Sequence, residues 1–500
     1  MLVHLLLAAA LATVPTAAPT APVDGVAVAA LVERYLDETG LPGVAVAVTR
    51  GRHVVHAGGH GRTATGEPVT ERTAMPIASL SKSVTALAVL QLVEDGAVAL
   101  DDPVREHLPE FAPDDPRADA VTVRQLLDQT SGLSDRAFPS ASREQPGTLR
   151  ESVAQLRTAG LVAEPGTHWE YHNPNYQVAA RLVEVVSGRP FATHLREQIF
   201  APLGMRDSRG IDTDRDLPPG PTGHVRVLGA AVPVREPAAF GAGSGGVLSS
   251  ARDMAAWLIA QTDGTGPDGR SVATPATVAT LHTPSSPASR SYALGWSVGT
   301  TAAGAPVVEH GGDLFTCTAH QALLPASGYG IAVLANTGPV DGDAGALAEQ
   351  LVALVEGTAP PPAGSSRAVV DAALLALAAG TAWLAVRGVR RADRWAARRR
   401  SVATALLRTL PLLAPTALLL GVHRVFGVLY RGRDLAWVQV LYLYPLLVLL
   451  LVVAAGGGAG VAVARVAQAA RGSSTSGSGE TEIGSGIATA RRAARRARMR

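Results

Sequence analysis

Lysine is almost absent from this sequence: 43 of its 44 basic residues are arginine, and Lys82 stands alone. Such skew reflects drift toward arginine wherever a plain positive charge suffices, so a lysine that persists is informative. Arginine stays protonated in a protein, whereas lysine loses its proton when buried or crowded by other cations. Cysteine is equally scarce. With Cys317 alone, an intramolecular disulfide is excluded, and Cys317 reads as a small packed side chain rather than a nucleophile. Stability must then come from a large core, which 500 residues permit. Net charge is also nearly absent, 44 basic against 42 acidic residues, which excludes the strongly basic footprint of nucleic-acid binding.

What the chain does have is apolar sequence at both ends. Leu2 to Ala12 is a short apolar run before the small-residue and proline stretch Thr13 to Pro22, and residues 1–21 read as a secretory signal peptide. Residues 24–356 read as one mixed globular domain. Helical periodicity covers Val26 to Asp37, Lys82 to Glu94, Asn175 to Val186, Ser250 to Gln261 and Ala344 to Val355. Strands are expected at Val44 to Val48, His53 to His56, Ser291 to Val298, Pro306 to Glu309, Ala319 to Leu324 and Gly330 to Leu334. Short strands grouped late, with helices in the middle, predict an α+β fold with a mainly antiparallel sheet.

Gly357 to Arg367, with Pro360 to Pro362 in succession, reads as a linker. Three apolar stretches follow at 368–386, 402–422 and 435–455, each near the ~20 residues that cross a bilayer. Seven arginines lie between the first two, from Arg387 to Arg400, and only Arg424, Arg431 and Arg433 between the second and third. The Gly/Ser-rich tail 472–500 ends basic. The positive-inside rule puts the arginine-rich loop and the tail in the cytoplasm, and the globular domain outside. Trp437, Tyr442 and Tyr444 fit an interfacial belt at the outer end of the third span. With few charges inside them, these helices anchor to membrane lipid rather than transport.

Three short motifs carry candidate chemistry. Ser79-Leu-Ser-Lys82 opens a helix, and residues i and i+3 share a helix face. A serine hydroxyl needs a base to become a nucleophile, and a neutral amine beside it can serve. Tyr171-His-Asn173 sits on a loop at a helix start. Lys82 works either neutral, as that base, or charged, depressing the proton affinity of Tyr171. Shifting either group from ~10 to ~7 takes about 4 kcal/mol. His310-Gly-Gly312 ends a predicted strand, where glycine lets a substrate approach the backbone. His53, His56 and His60 do not suggest a metal site, because strand alternation separates His53 from His56; no metal or cofactor is expected. An α/β-hydrolase is disfavoured because His310-Gly-Gly lies far downstream of the candidate serine, the wrong order for the oxyanion loop of that class.

In this order the three motifs resemble the serine β-lactamase and penicillin-recognising superfamily, in the branch of class C β-lactamases, D-alanyl-D-alanine carboxypeptidases and related esterases. The resemblance covers roughly residues 26 to 356. It extends to Leu100-Asp-Asp-Pro-Val104, Val121-Thr-Val-Arg-Gln-Leu-Leu127 with Thr130-Ser-Gly-Leu133, Gly245-Gly246 before Ser249-Ser-Ala-Arg-Asp253, and Leu294-Gly-Trp296. It implies a β-lactamase/transpeptidase-like fold, an antiparallel sheet flanked by helices plus a helical subdomain.

It further implies Ser79 as acylated nucleophile, Lys82 as its proton acceptor or electrostatic partner, and Tyr171 as general acid or base. Asn173 would orient the substrate amide. His310 and Gly312 would stand where relatives carry a Lys-Thr-Gly strand, and the backbone N–H groups of Ser79 and Asp313 would form the oxyanion hole. Gly311, Gln129 and Thr316 depart from the pattern. The expected substrate is a small molecule or a peptidoglycan-like peptide, and the expected place a bacterial cell membrane, multi-pass, with the catalytic domain extracytoplasmic. A penicillin-binding-like acyl sensor or a non-hydrolytic surface binding protein is the alternative to a turnover enzyme.

Overall fold

The computed structural model describes residues 23–363, 367–398, 402–430 and 432–497, with side chains described through Arg471. The expected signal peptide at 1–21 lies outside the described residues. The first helix, α1 (Gly25–Thr39), starts where the Asp24 carboxylate accepts a hydrogen bond from the Ala27 N–H at 2.8 Å, and ends at Gly40 with φ 66°. Its buried residues Val28, Leu31, Val32 and Tyr35 recur at helical spacing.

The main sheet is antiparallel and six-stranded. Its strands are β1 (Gly43–Arg50), β2 (His53–Gly61), β3 (Ser297–Thr300), β4 (Pro306–Asp313), β5 (Thr318–Leu324) and β6 (Tyr329–Ala335), in spatial order β2-β1-β6-β5-β4-β3. The sheet therefore joins the N-terminal hairpin to strands from the end of the domain, with Val44 opposite Ala335 and Val48 opposite Ile331. Side chains alternate faces along each strand. Val44, Val46, Val48, Ile331 and Val333 pack with α1 and the last domain helix, Asp343–Glu356. Ala45, Ala47, Ala332 and Leu334 face the other way, into a larger core shared with helices Ser81–Glu94 and Ala251–Asp263. Small alanines on that face admit the helix backbones closely. The antiparallel sheet with flanking helices is the fold the sequence resemblance implies.

Two expected elements differ. The strand expected over Ser291 to Val298 shrinks to Ser297–Thr300, because Gly295 takes φ 78° where the chain bends past the backbone of Lys82. A β-carbon on Gly295 would lie 2.8 Å from the Lys82 carbonyl oxygen, so the bend requires glycine at this point. The third apolar helix does not begin at residue 435. Trp437–Leu443 forms a short separate helix, and the long helix starts at Pro445 and runs to Ala497. Proline lacks an N–H and restricts the residue before it, so Tyr444 turns the chain with φ −138° and ψ 63°.

Among the described residues, three helices are long and apolar enough to cross a membrane: Arg367–Arg390, Val402–Leu429 and Pro445–Arg471. The start of the first is tied to the globular domain by polar contacts. Arg226 pairs with Asp343 at 3.1 Å and Asp341 at 3.6 Å, and Arg367 shares Asp341 at 3.6 Å. Asp371 accepts a hydrogen bond from the Leu228 N–H at 2.8 Å. The three aromatics expected at the outer end of the third span precede that span: Tyr442 donates to the Arg235 carbonyl at 2.9 Å, Trp437 to the Leu419 carbonyl at 2.9 Å, and Tyr444 stacks on Phe426.

Candidate active site

Ser79 lies on a single 3-10 turn, Ala78–Leu80, that feeds directly into helix Ser81–Glu94. Residues three apart share a face where the turn runs on into the helix, and Lys82 Nζ stands 3.2 Å from Ser79 Oγ. Ala78 enters the turn with φ 48°, a left-handed conformation that costs a residue with a β-carbon ~1 kcal/mol or more. Strain of this kind, next to the hydroxyl, is held by the packed helix behind it.

Lys82 is fully buried. Its other two neighbours are the Asn173 side-chain oxygen at 2.9 Å and the Ser244 carbonyl oxygen at 2.7 Å. The Tyr171 ring lies 4.7 Å away and the Tyr176 ring 5.6 Å away. Burial, followed by the positive charge of Arg433, pushes the Lys82 amine well below its ordinary range. Tyr171 is displaced the opposite way. Enclosure raises its hydroxyl to about 12, outweighing the lowering effects of Ser79 and Arg433. The phenol is therefore protonated near neutral pH, and Lys82, itself driven toward the neutral amine, does not depress it.

His310 lies within β4 rather than past its end. Its Nδ1 sits 2.6 Å from the Gly311 carbonyl, which can only accept, so Nδ1 carries the proton and Nε2 accepts from the Tyr292 hydroxyl at 3.1 Å. Burial holds this imidazole down at about 3, and it offers no positive charge to a substrate. Gly312 is needed for closeness: a β-carbon there would lie 2.6 Å from the Ile77 carbonyl oxygen and 3.1 Å from Ala78 Cβ. β4 is thereby pressed against the serine turn, with Asp313 at its end.

The Tyr171–Asn173 loop is held by a residue that departs from the family pattern. Gln129, with φ 65°, accepts hydrogen bonds from the His172 N–H at 3.0 Å and the Asn175 side chain at 2.7 Å. A histidine at this position would have only ring nitrogens to offer these two donors. His172 in turn meets Asp135 at 3.0 Å.

Ser79, Tyr171, Asn173, Ser244, His310 and Asp313 line one cavity of about 700 Å³. Lys82 lies beneath its floor. Sequence reasoning singled out all of these except Ser244, which acts through its backbone carbonyl and carries no side-chain signal. It also missed Tyr292, which orients His310, and Arg433, which lines the cavity from the loop between the second and third apolar helices. Among the described residues no group of three or more His, Cys, Asp or Glu side chains could hold a metal ion. His56 and His60 stack with ring centroids 5.6 Å apart. Cys317 is buried, its thiol pushed up to about 12 by that burial, which leaves it unreactive.

Glu236, on the cavity wall, accepts hydrogen bonds from the backbone N–H groups of Phe315 and Thr316 and from the Thr316 hydroxyl. Burial nonetheless raises its carboxyl to about 7 from 4.5. A raised folded value stabilises the protein below pH 4.5, and that contribution is lost as pH rises through about 7. The melting temperature should therefore fall between pH 5.5 and 8 in wild type. Glu236→Gln should flatten that part of the curve in differential scanning fluorimetry.

An antiparallel sheet packed on a serine-bearing helix, with a buried lysine and a tyrosine at one cleft, is the arrangement that serine hydrolases of the penicillin-recognising class use. The chain belongs to the Beta-lactamase family, whose model matches residues 28–355. Esterase EstB of Burkholderia gladioli is 32% identical over 262 residues, which are 45% of this chain and 67% of that protein. PbpX of Bacillus subtilis is 30% identical over 175 residues, 35% of this chain and 42% of that protein. This chain thus spans between two fifths and two thirds of the length of these relatives. Among solved structures, the octameric penicillin-binding protein homologue of Pyrococcus abyssi superposes with a TM-score of 0.57 at 26% identity, over 68% of this chain and 79% of its own.

Proposed function

We propose that the protein is a membrane-anchored extracytoplasmic serine hydrolase that works through an acyl-Ser79 intermediate on an amide or ester. The observation that carries this reading is the environment of Lys82. A neutral amine has two N–H donors and one lone pair. Two carbonyl oxygens, of Asn173 and Ser244, take the two donors, and the lone pair is left facing Ser79 Oγ. Lys82 then accepts the Ser79 proton as Oγ attacks the acyl carbon. The backbone N–H groups of Ser79 and Asp313 hold the resulting oxyanion. The protonated Tyr171 gives its proton to the leaving alcohol or amine and is reprotonated from Lys82. Water, activated by the same pair, cleaves the acyl-enzyme.

With His310 neutral and Gly311 lacking a hydroxyl, the β4 side of the cleft has no group to hold a free carboxylate. Among D-alanyl peptides, β-lactams and small esters, this favours esters without an adjacent carboxylate. The anchoring part of the reading is supported by the three helix ends at Arg367, Leu429 and Pro445, which all lie at the domain side, while the arginine-rich segment after Arg387 lies one helix length away, about 36 Å at 1.5 Å per residue.

The test is a fluorophosphonate followed by peptide mass mapping, together with turnover of p-nitrophenyl esters and of D-alanyl-D-alanine peptides. An adduct on the Ser79 peptide with faster ester turnover is expected. An adduct elsewhere, or none, would overturn the reading, and a lasting adduct without turnover would favour an acyl sensor.

A further inference from the structure

We infer that residues 432–435, between the second and third apolar helices, form a wall of the catalytic cleft, and that Arg433 among them is a positioning residue for the Ser79 chemistry. This rests on the hydrolase reading above. Arg433 donates to the Tyr171 carbonyl oxygen at 3.0 Å and places its Nε 3.2 Å from an Asp135 carboxylate oxygen. Its guanidinium stands 5.0 Å from the centre of the Tyr171 ring, the ring that Lys82 Nζ approaches to 4.7 Å. Asp434 fastens the next residue. Its N–H donates to the same Asp135 oxygen at 3.3 Å, and its carboxylate accepts from the Ser142 N–H at 2.6 Å. Tyr430, Arg433, Asp434 and Leu435 line the cavity that contains Ser79.

Two effects follow from this placement. The first is mechanical: Asp135 is buried and also holds His172, so Arg433, Asp135 and His172 form a chain that grips the carbonyl of Tyr171 and the residue after it. The second is electrostatic. Arg433 is the only arginine or lysine lining the cavity among the described residues, and a fixed cation over the phenol disfavours further positive charge on Lys82. The titratable groups facing it across the cleft are Lys82, Tyr171 and Asp313, and below it Asp135 with His172. Behind Tyr171 stand Tyr176, Tyr292 and His310, while Glu170 pairs with Arg136 at 3.0 Å instead. A neutral His310 supplies no cation, so the membrane-side loop provides the charge that the domain's own β4 strand does not.

The experiment uses the full-length protein in phospholipid nanodiscs. It measures kcat/KM for a p-nitrophenyl ester from pH 5 to 10, the rate of fluorophosphonate labelling, and thermal unfolding. Removing the cation raises the proton affinity of Lys82, so the acidic limb of the profile moves upward. For Arg433→Gln we expect a limb shifted by about one pH unit, which is about tenfold less activity on the acidic side and much less loss on the plateau. Arg433→Lys keeps the charge and should return the limb close to wild type. A uniform loss at every pH that tracks a lowered melting temperature, with no rescue by Arg433→Lys, would overturn the inference, as would an unchanged profile. Should Arg433→Gln not fold, the limb of Arg433→Lys decides alone: a wild-type limb supports the role of charge, a displaced one refutes it. An adduct on Ser79 with an unshifted profile removes only this inference, whereas a wild type that forms no adduct removes the hydrolase reading with it.

Discussion

Ser79→Ala should lower kcat/KM for ester hydrolysis by ~10⁴-fold or more and abolish fluorophosphonate labelling, with the melting temperature little changed. The size follows from losing the covalent route entirely, since residues of a nucleophile–base unit each cost nearly the whole effect when removed. Oxyanion donors and bound substrate leave a residual rate over water. The stability side follows from the structure. Ser79 is half-buried, its hydroxyl faces a cavity, and the helix after it is held by other groups: Ser81 donates to the Ala78 carbonyl at 2.6 Å and Ser83 to the Leu80 carbonyl at 2.7 Å. A variant that keeps labelling, or loses activity only by unfolding, would show that Ser79 is not the nucleophile.

Lys82→Arg should be almost as damaging to activity, by ~10³-fold or more, and should also destabilise the domain. Arginine stays protonated even when enclosed, so it cannot take a proton from Ser79, and general-base catalysis alone is worth about 10²- to 10⁴-fold. The site around Lys82 offers three partners: Ser79 Oγ, Asn173 Oδ1 and the Ser244 carbonyl. A guanidinium brings five N–H donors, so at least two would be buried without acceptors, each costing about 1–3 kcal/mol. Activity should not recover at high pH, because no accessible pH deprotonates the replacement. Recovery above pH 9, or a variant within tenfold of wild type, would mean that Lys82 acts through its charge and not as a base.

Much of this site was legible in the chain. Ser79 and Lys82 are close in sequence, and a helical spacing of three is a local property that no tertiary contact is needed to produce. The glycine at 312 and the Tyr171–Asn173 turn were legible for a similar reason, since each sits in a short segment whose conformation its own residues restrict. Protonation states were not legible. The spacing leaves Lys82 either neutral or charged beside Tyr171; burial dominates both groups, moving the amine down and the phenol up, and burial is a property of everything packed around them. His310 stands where relatives carry the lysine of a Lys-Thr-Gly strand, yet Tyr292, eighteen residues earlier and on no motif, donates to its Nε2. The third apolar segment was placed ten residues early because hydropathy continues through 435–444, while the proline that restarts the helix at Pro445 acts on backbone geometry.

The sequence by itself determined the family, the antiparallel sheet, the three apolar helices and the serine–lysine pair, because each is written in local periodicity or in motifs of a few residues. Only the tertiary structure decided what those pieces do to one another. It put Lys82 in a site with two carbonyl acceptors from distant segments, made His310 neutral, and brought a loop from between two apolar helices, more than 250 residues downstream, over Tyr171. Long-range burial and charge set proton affinities, and neither is encoded in the spacing of neighbouring residues. The lone lysine marked where to look; the packing around it drives its amine toward the neutral form.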